Sequence, residues 1–289
     1  MRAGAFSRDP FWDDGRGSPT HAVDAVEHLR RMRGGSQSHL MRCSDGKLYV
    51  VKFLNNPQHV RVLANEIVGT SLADLIGLPV PRMAFVHVEQ RLIQETPALT
   101  VSHVDKTIVP CSAGIQFGSE YVINPFEGRI FDVLPMEHLD RVRNLADFAG
   151  VLAFDKWTGN VDDRQAMFWR KGRQKKYTVT FIDQGHCFNL GRWDFPDKPF
   201  QGGYLRSEVY SGVRDWQSFE PWLSRIEAMN DFTVQECAPW IPPEWSIEAN
   251  ELSCLLRNLA DRRSIVRNLI DAFRISGSNP FPNWEGPRG

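Results

Sequence analysis

The sequence has few features that would place the protein in a membrane or outside the cell. No apolar run approaches the roughly 20 residues that a membrane-spanning helix needs. The first residues, MRAGAFSRDPFWDDGRG, carry acidic side chains where a signal peptide would have its apolar segment. Five cysteines are dispersed without any C-x-x-C pair, which favours free thiols in a reducing compartment. We therefore expect a soluble, cytoplasmic protein without a membrane partner.

A surplus of charge of either sign is also lacking. The formal net charge is -1, so the overall charge does not favour direct binding to nucleic acid. Hydrophobic residues make up 42% of the 289 residues, as in ordinary globular chains. This length is enough for one large domain or for two lobes with a substantial core.

The apolar patterns change along the chain from strand-like to helical. Two apolar runs within residues 38–54 flank an Asp-Gly step, which predicts a hairpin. Residues 60–77 have helical spacing and end on a glycine followed by two prolines. Residues 83–93 alternate like a strand, with a turn expected over 88–91. A helix is predicted over 144–157, before a second strand hairpin and mostly helical patterns.

This order predicts an α+β fold in which a β-rich N-lobe precedes a mostly helical C-lobe. We expect a flexible segment at 1–18, the N-lobe at 19–123, the C-lobe at 124–275 and a tail at 276–289.

A small-residue loop in the N-terminal half suits an anion site. In GGSQSH, Gly35 lets backbone N–H groups approach an anion closely. Ser36, Gln37 and Ser38 add side-chain donors. By itself such a loop more often only connects two elements.

Lys52 lies inside the apolar run YVVKF, where an unpaired buried ammonium would be costly. A lysine on the solvent face of an amphipathic strand is the simpler interpretation. The functional interpretation is a strand lysine that contacts nucleotide phosphates, and it requires an acidic partner. Glu66, in the helix that follows, is the natural candidate.

Two acidic motifs in the C-terminal half suit hydroxyl and metal chemistry. In the D-x-x-x-x-N motif of Asp155 and Asn160, the acid would orient the attacking hydroxyl and the amide oxygen would bind a metal ion. Asp183, which leaves an apolar strand in FIDQGHCF, suits a magnesium ligand. The alternative for both motifs is an ordinary capped turn. Together with the loop, Lys52 and Glu66, they stand in the order that an ATP- and Mg²⁺-dependent kinase needs.

Four segments give the sequence a resemblance to the HipA-like kinases over roughly residues 30–270: GGSQSHLMRCSDGKLYVVKFLNNPQ, RVLANEIVGTSLADLIGLPVP, FDKWTGNVDDRQ and FIDQGHCF. The resemblance implies a bilobed protein-kinase-like fold with ATP between the lobes. It assigns Lys52 to the ATP phosphates and to pairing with Glu66, Asp155 to catalysis, and Asn160 and Asp183 to Mg²⁺. It also places the strand at 119–123, and with it Glu120, Tyr121 and Val122, against the adenine.

The resemblance further implies a serine or threonine of a protein as acceptor, an antitoxin-like partner, and autophosphorylation of Ser36 or Ser38 that blocks ATP. Three departures favour kinase chemistry over toxin biology. The chain has no G-x-G-x-x-G, it has Ala153 and Phe154 where an H-R-D motif has His and Arg, and it has little room before residue 30 for the extra subdomain of HipA toxins.

Other activities remain open at this point. An aminoglycoside-type small-molecule kinase, a lipid kinase, a pseudokinase or binding module, and AMP transfer would all use similar motifs. Asp162 and Asp163 are either additional metal ligands or exposed acids of a turn. His186 is expected to be structural or solvent-facing.

Overall fold

The first described part of the chain forms strands that close into a barrel. The computed structural model describes residues 22–125, 127–237, 240–276 and 279–286, so the segment predicted at 1–18 lies outside the described residues. The strands are β1 (Ala22–Arg31), β2 (His39–Cys43), β3 (Leu48–Lys52), β4 (Met83–Val88), β5 (Thr100–Ser102), β6 (Ile108–Pro110), β7 (Gly114–Glu120), β8 (Gly128–Phe131), β9 (Gln165–Lys171) and β10 (Thr178–Ile182). Five of them form the barrel, in the order β1-β2-β3-β7-β4.

Helices dominate the second half of the chain. The α-helices are α1 (Arg61–Leu75), α2 (Gln90–Glu95), α3 (Asp147–Thr158), α4 (Trp222–Ala228), α5 (Asp231–Gln235), α6 (Ala249–Arg262) and α7 (Val266–Arg274). Short 3-10 helices cover Met136–Arg141, Cys187–Asn189, Ser207–Tyr210, Trp216–Phe219, Pro243–Trp245 and Arg263–Ile265. Strands β8, β9 and β10 form a separate antiparallel sheet, and β5 pairs only with β6. Within the described ranges no helix is long and apolar enough to cross a membrane.

Two predicted elements of the barrel region are confirmed and one is wrong. The hairpin is β2 and β3, and the helix expected over 60–77 is α1. The turn expected over 88–91 does not form, because Glu89 is extended and α2 begins at the next residue. Residues 90–95 include Gln, Arg, Leu and Glu, which have good helix propensity, and this local preference ends the alternating strand pattern.

The predicted C-terminal helices are shorter than their apolar patterns suggest. Between residues 207 and 228, only α4 is an α-helix, and the rest consists of 3-10 turns and bends. The carboxylate of Asp215 accepts a hydrogen bond from the Ser218 amide at 3.2 Å and so begins a separate short turn. Pro221, which lacks an N–H, then separates this turn from α4.

Helix α3 lies in the centre of the largest hydrophobic core. It is apolar on all sides, and Phe148, Phe154 and Trp157 have no exposed surface. The Trp157 indole N–H donates to the Leu259 carbonyl at 2.8 Å, which ties α3 to α6. Phe281, near the C-terminus, packs into the same core. The last turn of α3 therefore lies deep inside the protein, and Asp155 belongs to that turn.

Trp157 provides a test of this core. We expect Trp157→Ala to lower the free energy of unfolding by about 3–5 kcal/mol, because it removes a fully buried ring and leaves a cavity. Trp157→Phe keeps most of the apolar contact and loses the bond to Leu259, so a smaller loss of about 1 kcal/mol is expected. Urea unfolding followed by circular dichroism measures both values. Equal losses in the two variants would contradict this account.

Candidate active site

A cavity of about 670 Å³ lies between the barrel and the three-stranded sheet. Its apolar wall includes Val50 and Phe117 of the barrel, and Met167 and Ile182 of the sheet. Charged and polar side chains line other parts of the wall, and most of the predicted site residues border the cavity. The volume lies in the range of small-molecule and cofactor sites, and a wall with an apolar part and a few converging polar groups is typical of them.

Lys52 is the ammonium group at the centre of the polar wall. It ends β3, which is paired with β2 on one side and β7 on the other, so its backbone is fixed by the barrel. Its side chain is 6% exposed. The ammonium donates to Glu66 and, at 2.7 Å, to Asp183 Oδ1. The predicted pairing of Lys52 with Glu66 is therefore present, and Asp183 shares the same ammonium.

Glu66 also holds the chain that follows Asp183. One carboxylate oxygen accepts the Gln184 amide at 3.1 Å, and the other accepts the Gly185 amide at 3.0 Å. A Cβ atom on Gly185 would lie 2.7 Å from Val62, so only glycine fits this close approach. Glu66 of helix α1 therefore holds the backbone that directly follows Asp183, the predicted metal ligand.

The charges of this group of side chains influence one another. Burial lowers the pKa of Lys52, but Asp183 and Glu66 outweigh burial, and the pKa stays above its usual value. Burial raises the pKa of Asp183, but Lys52 outweighs it and holds the pKa of this carboxyl well below its usual range. Burial raises the pKa of Glu66 despite Lys52, because one ammonium serves two carboxylates. With one ammonium and two carboxylates, the three side chains together carry one net negative charge.

Asp155 faces away from the large cavity. Its carboxylate receives two hydrogen bonds from the Arg164 guanidinium, one of them at 3.0 Å, and neither side chain has exposed surface. Asn160 donates to the same carboxylate at 3.0 Å. Gly202 packs so closely that a Cβ atom there would lie 2.9 Å from the Asp155 Cβ. Asp155 is thus enclosed, although the sequence predicts that it acts on a substrate hydroxyl.

The predicted metal ligand Asn160 does not reach the large cavity either. Its amide oxygen accepts the Asp162 backbone N–H at 3.2 Å, and its amide nitrogen is used by Asp155. Asn160 and Asp155 instead border a second cavity of about 20 Å³, which has room for little more than one water molecule. In this arrangement, Asn160 connects the end of α3 to the turn that follows.

Asp162 and Asp163 are the carboxylates that this turn presents to the large cavity. Asp162 Oδ1 accepts the Asp163 amide at 2.9 Å, and Asp162 Oδ2 lies 3.7 Å from His186 Nδ1. Burial and the neighbouring Asp162 raise the pKa of Asp163. His186, expected to be structural, is therefore a neighbour of the site.

In the loop predicted as an anion site, some residues line the cavity and others hold the loop in place. Ser36 and Ser38 line the cavity and are 8% and 5% exposed. Gln37 lies outside the lining, since its amide pairs twice with the Ser102 backbone, at 2.7 Å each. Gly35 lies outside it as well, and a Cβ atom there would be 2.9 Å from the Gln58 amide nitrogen.

The residues predicted to contact adenine all border the cavity: Glu120, Tyr121 and Val122. Strand β7 spans Gly114–Glu120, so the strand predicted over 119–123 begins and ends earlier than expected. The Tyr121 amide donates to the Leu48 carbonyl at 2.8 Å, which holds this segment against the start of β3.

The carboxylates at the cavity fit a magnesium ion that is shared with phosphates. Asp183, Asp162 and Asp163 supply the hard oxygen ligands that Mg²⁺ prefers. Within the part of the chain that the structure describes, no group of three or more His, Cys, Asp or Glu side chains could enclose a metal alone. An open site of this kind suits a metal ion that keeps water and phosphate ligands.

Arg164 is the main site residue that the sequence analysis missed. Besides Asp155, its guanidinium donates to the Ile182 carbonyl at 3.0 Å and to the Gln184 side chain at 2.8 Å. It therefore joins the end of α3 to the backbone before Asp183 and to the side chain after it. An arginine next to two acids resembles an exposed turn in the sequence, and only its distant partners reveal a buried role.

Comparisons with solved structures show a kinase-like fold. The Helicobacter pylori proinflammatory kinase CtkA matches with a TM-score of 0.57 and 14% identity over 89% of this chain and 99% of its own. Hydra Fam20 with sugar matches with a TM-score of 0.53 and 11% identity over 90% and 88%. HipA of Shewanella oneidensis MR-1, solved with HipB and operator DNA, matches with a TM-score of 0.49 and 12% identity over 93% and 69%.

Comparison of the sequence itself confirms the predicted resemblance. No curated protein sequence matches this chain significantly. The HipA-like kinase family matches residues 25–272, which is most of the chain and includes every predicted site residue. The chain therefore belongs to the HipA-like kinase family.

Proposed function

We propose that this protein is an ATP- and Mg²⁺-dependent kinase that phosphorylates a serine or threonine of a protein. The observation that carries the proposal is Lys52, a buried ammonium shared by Glu66 and Asp183 in the wall of a 670 Å³ cavity. In this proposal the molecule is bilobed, with an N-lobe at 19–123 and a C-lobe at 124–275, and the cavity between them holds the nucleotide.

The cavity wall supports one orientation of ATP. The adenine would lie against the apolar side chains near Tyr121 and Val122, where backbone groups are available for hydrogen bonds. The triphosphate would then extend toward Lys52 and toward the loop that carries Ser36 and Ser38. An ammonium and closely spaced donors suit the charge and oxygen atoms of phosphates.

Lys52, Glu66 and Asp183 together carry one net negative charge, and this excess supports a role for a metal cation. Bound Mg²⁺ would supply positive charge to the phosphate oxygens that bear developing charge. Asp183 would hold it together with Asp163, the second acid of the turn that follows α3. Lys52 orients the Asp183 carboxylate before any ligand arrives.

Asp162 is the residue we propose as proton acceptor. Its backbone N–H is held by Asn160 and its carboxylate faces the cavity near His186. As the acceptor hydroxyl oxygen forms its bond to the γ-phosphorus, the bond from that phosphorus to the ADP oxygen breaks. The hydroxyl proton passes to the Asp162 carboxylate. Asp155 acts indirectly, because it holds Arg164 and thereby the backbone at Asp183.

The proposed setting follows from composition and family. The net charge of -1 favours neither nucleic acid nor an anionic membrane as a direct partner, and the dispersed cysteines favour the cytoplasm. The HipA-like family supports a protein substrate and an antitoxin-like protein partner.

Phosphoryl transfer can be tested directly with ATP labelled at the γ-phosphate in the presence of Mg²⁺. We expect label on the protein or on added protein substrates, and a loss of about 100-fold or more in Lys52→Met and Asp183→Asn, because Lys52 would supply positive charge to the phosphates and Asp183 would hold the metal. Lys175→Met, in an exposed loop, is the matched control and should keep full activity. In a parallel reaction with ATP labelled at the α-phosphate, label on the protein that the γ-labelled reaction lacks would indicate AMP transfer instead. If calorimetry with Mg²⁺ detects no nucleotide binding, the proposed function is wrong.

The roles of the two aspartates can be separated by stability and turnover. Asp162→Asn should fold normally and lower kcat by about 10²–10⁴, the usual contribution of a positioned general base. Asp155→Asn leaves the buried Arg164 without its counter-charge, so the free energy of unfolding should fall by about 3–5 kcal/mol.

Asp261→Asn, at an exposed position of α6 away from the cavity, is the control for the removal of an acid. Single-turnover kinetics and urea unfolding measure the two effects. A stable Asp155→Asn protein without turnover, together with an active Asp162→Asn protein, would assign proton transfer to Asp155.

We also propose that Ser36 or Ser38 is autophosphorylated, since both hydroxyl-bearing residues border the cavity where the triphosphate would lie. After incubation with ATP and Mg²⁺, mass spectrometry should find phosphate on one of them in the wild type and on neither in Asp183→Asn. The added charge of about -2 should weaken ATP binding by repelling the triphosphate. An active enzyme with both serines unmodified would rule out this regulation.

A further inference from the structure

One face of α1 is built to hold the chain segment that follows Asp183. Arg61, Asn65 and Gly69 are spaced four residues apart, so they lie along one side of the helix. Arg61 donates to the Gly191 carbonyl at 2.9 Å, and its guanidinium lies 4.5 Å from the centre of the Trp193 ring. Each of the other two residues on this face also touches the segment 184–193.

Asn65 makes the densest set of these contacts. Its amide nitrogen lies 2.9 Å from the Gly185 carbonyl, 2.9 Å from that of Cys187 and 2.7 Å from that of Leu190. Its amide oxygen accepts the Trp193 indole N–H at 2.8 Å. The residue has no exposed surface. One side chain therefore satisfies four polar groups of a single loop, and two donor hydrogens serve three carbonyls.

The loop needs such support because its backbone is unfavourable. Asp183, Phe188, Asn189, Leu190 and Trp193 all have φ between 55° and 61°. Residues other than glycine rarely adopt this left-handed region, and several of them in one segment persist only where surrounding contacts hold the backbone. The three carbonyls that bond to Asn65 lie within the segment 183–193 that contains these left-handed residues.

Gly69 allows the helix to approach the loop closely. A Cβ atom at this position would lie 2.8 Å from the Gln184 Cβ. Glu66, the next residue after Asn65, binds the amides of Gln184 and Gly185. Donors and acceptors of the loop are thus matched by two adjacent side chains of α1, with Asn65 facing carbonyls and Glu66 facing N–H groups.

We propose that Asn65 is a positioning residue that fixes the Asp183 carboxylate for the metal by holding the backbone of the segment 185–193. This role rests on the proposed function. Glu66 alone constrains only the first two residues after Asp183, whereas Asn65 holds the loop at three further points. Helix α1 and this segment therefore form one unit, and the Lys52–Glu66 pair cannot move without moving Asp183.

The test compares Asn65→Ala and Asn65→Asp with Asn144→Ala. Asn65→Asp keeps the acceptor for Trp193 but directs a carboxylate at three carbonyls. Asn144 is a matched control, because it also bonds both backbone groups of one residue, Val179, at 2.9 and 3.0 Å, at a distance from the loop. Asn144→Ala removes buried hydrogen bonds without touching the segment 185–193.

In protein without metal or nucleotide, hydrogen exchange at the Gln184 and Gly185 amides should accelerate in both Asn65 variants and not in Asn144→Ala. Calorimetry with ADP and Mn²⁺ should show a loss of affinity of about 10–100-fold, as expected when a residue that orients a metal ligand is removed. Affinity for ADP without metal should stay within about twofold, because Asn65 does not line the cavity.

Exchange and metal-dependent affinity equal to those of Asn144→Ala would overturn the proposal. If the Asn65 variants do not fold, Trp193→Phe can replace them, because it removes only one of the four contacts of Asn65. This variant should show faster exchange and weaker metal-dependent affinity, both to a smaller degree. Unchanged exchange and affinity in Trp193→Phe would also overturn the proposal. If wild type binds no nucleotide, the proposed function fails, while the exchange measurement still decides whether Asn65 holds the loop.

Discussion

A buried ammonium that faces two carboxylates organises this structure. Lys52 comes from the barrel, Glu66 from α1 and Asp183 from the end of β10, so one group of charges joins three elements that are distant in the sequence. None of the three could be buried alone without a large cost in desolvation. Together they still carry one excess negative charge. A divalent cation with a polyphosphate is the kind of ligand that completes such a site.

A second buried pair gives Asp155 and Asp162 different surroundings. Arg164 neutralises Asp155 inside the protein, and burial is affordable there because the pairing is bidentate and Asn160 adds a third hydrogen bond. Asp162, held through its backbone by Asn160, keeps its carboxylate at the cavity. In the proposed mechanism, the D-x-x-x-x-N turn serves mainly to place Asp162.

The order of parts predicted much of the site, because Lys52, Glu66 and Asp183 each stand in a local pattern that the sequence displays. The sequence could not show whether Asp155 or Asp162 borders the cavity. That depends on the hydrogen bonds of Arg164 to Ile182 and Gln184, which form only in the folded chain. The same limit applies to α2, where helix propensity prevailed over an alternating pattern, and to Gln37, whose partner Ser102 lies 65 residues away.

Asn65 shows most clearly why local patterns are insufficient. In a helix, an asparagine beside a glutamate suggests a solvated face, yet α1 is buried along most of its length, and Asn65 and Glu66 both bond to the loop after Asp183. The loop has several left-handed residues, and those bonds help to offset the cost of their conformation. The geometry of Asp183 is therefore a property of α1 as much as of its own strand. A ligand that bonds the Asp183 carboxylate also acts on Lys52, and through Lys52 on Glu66.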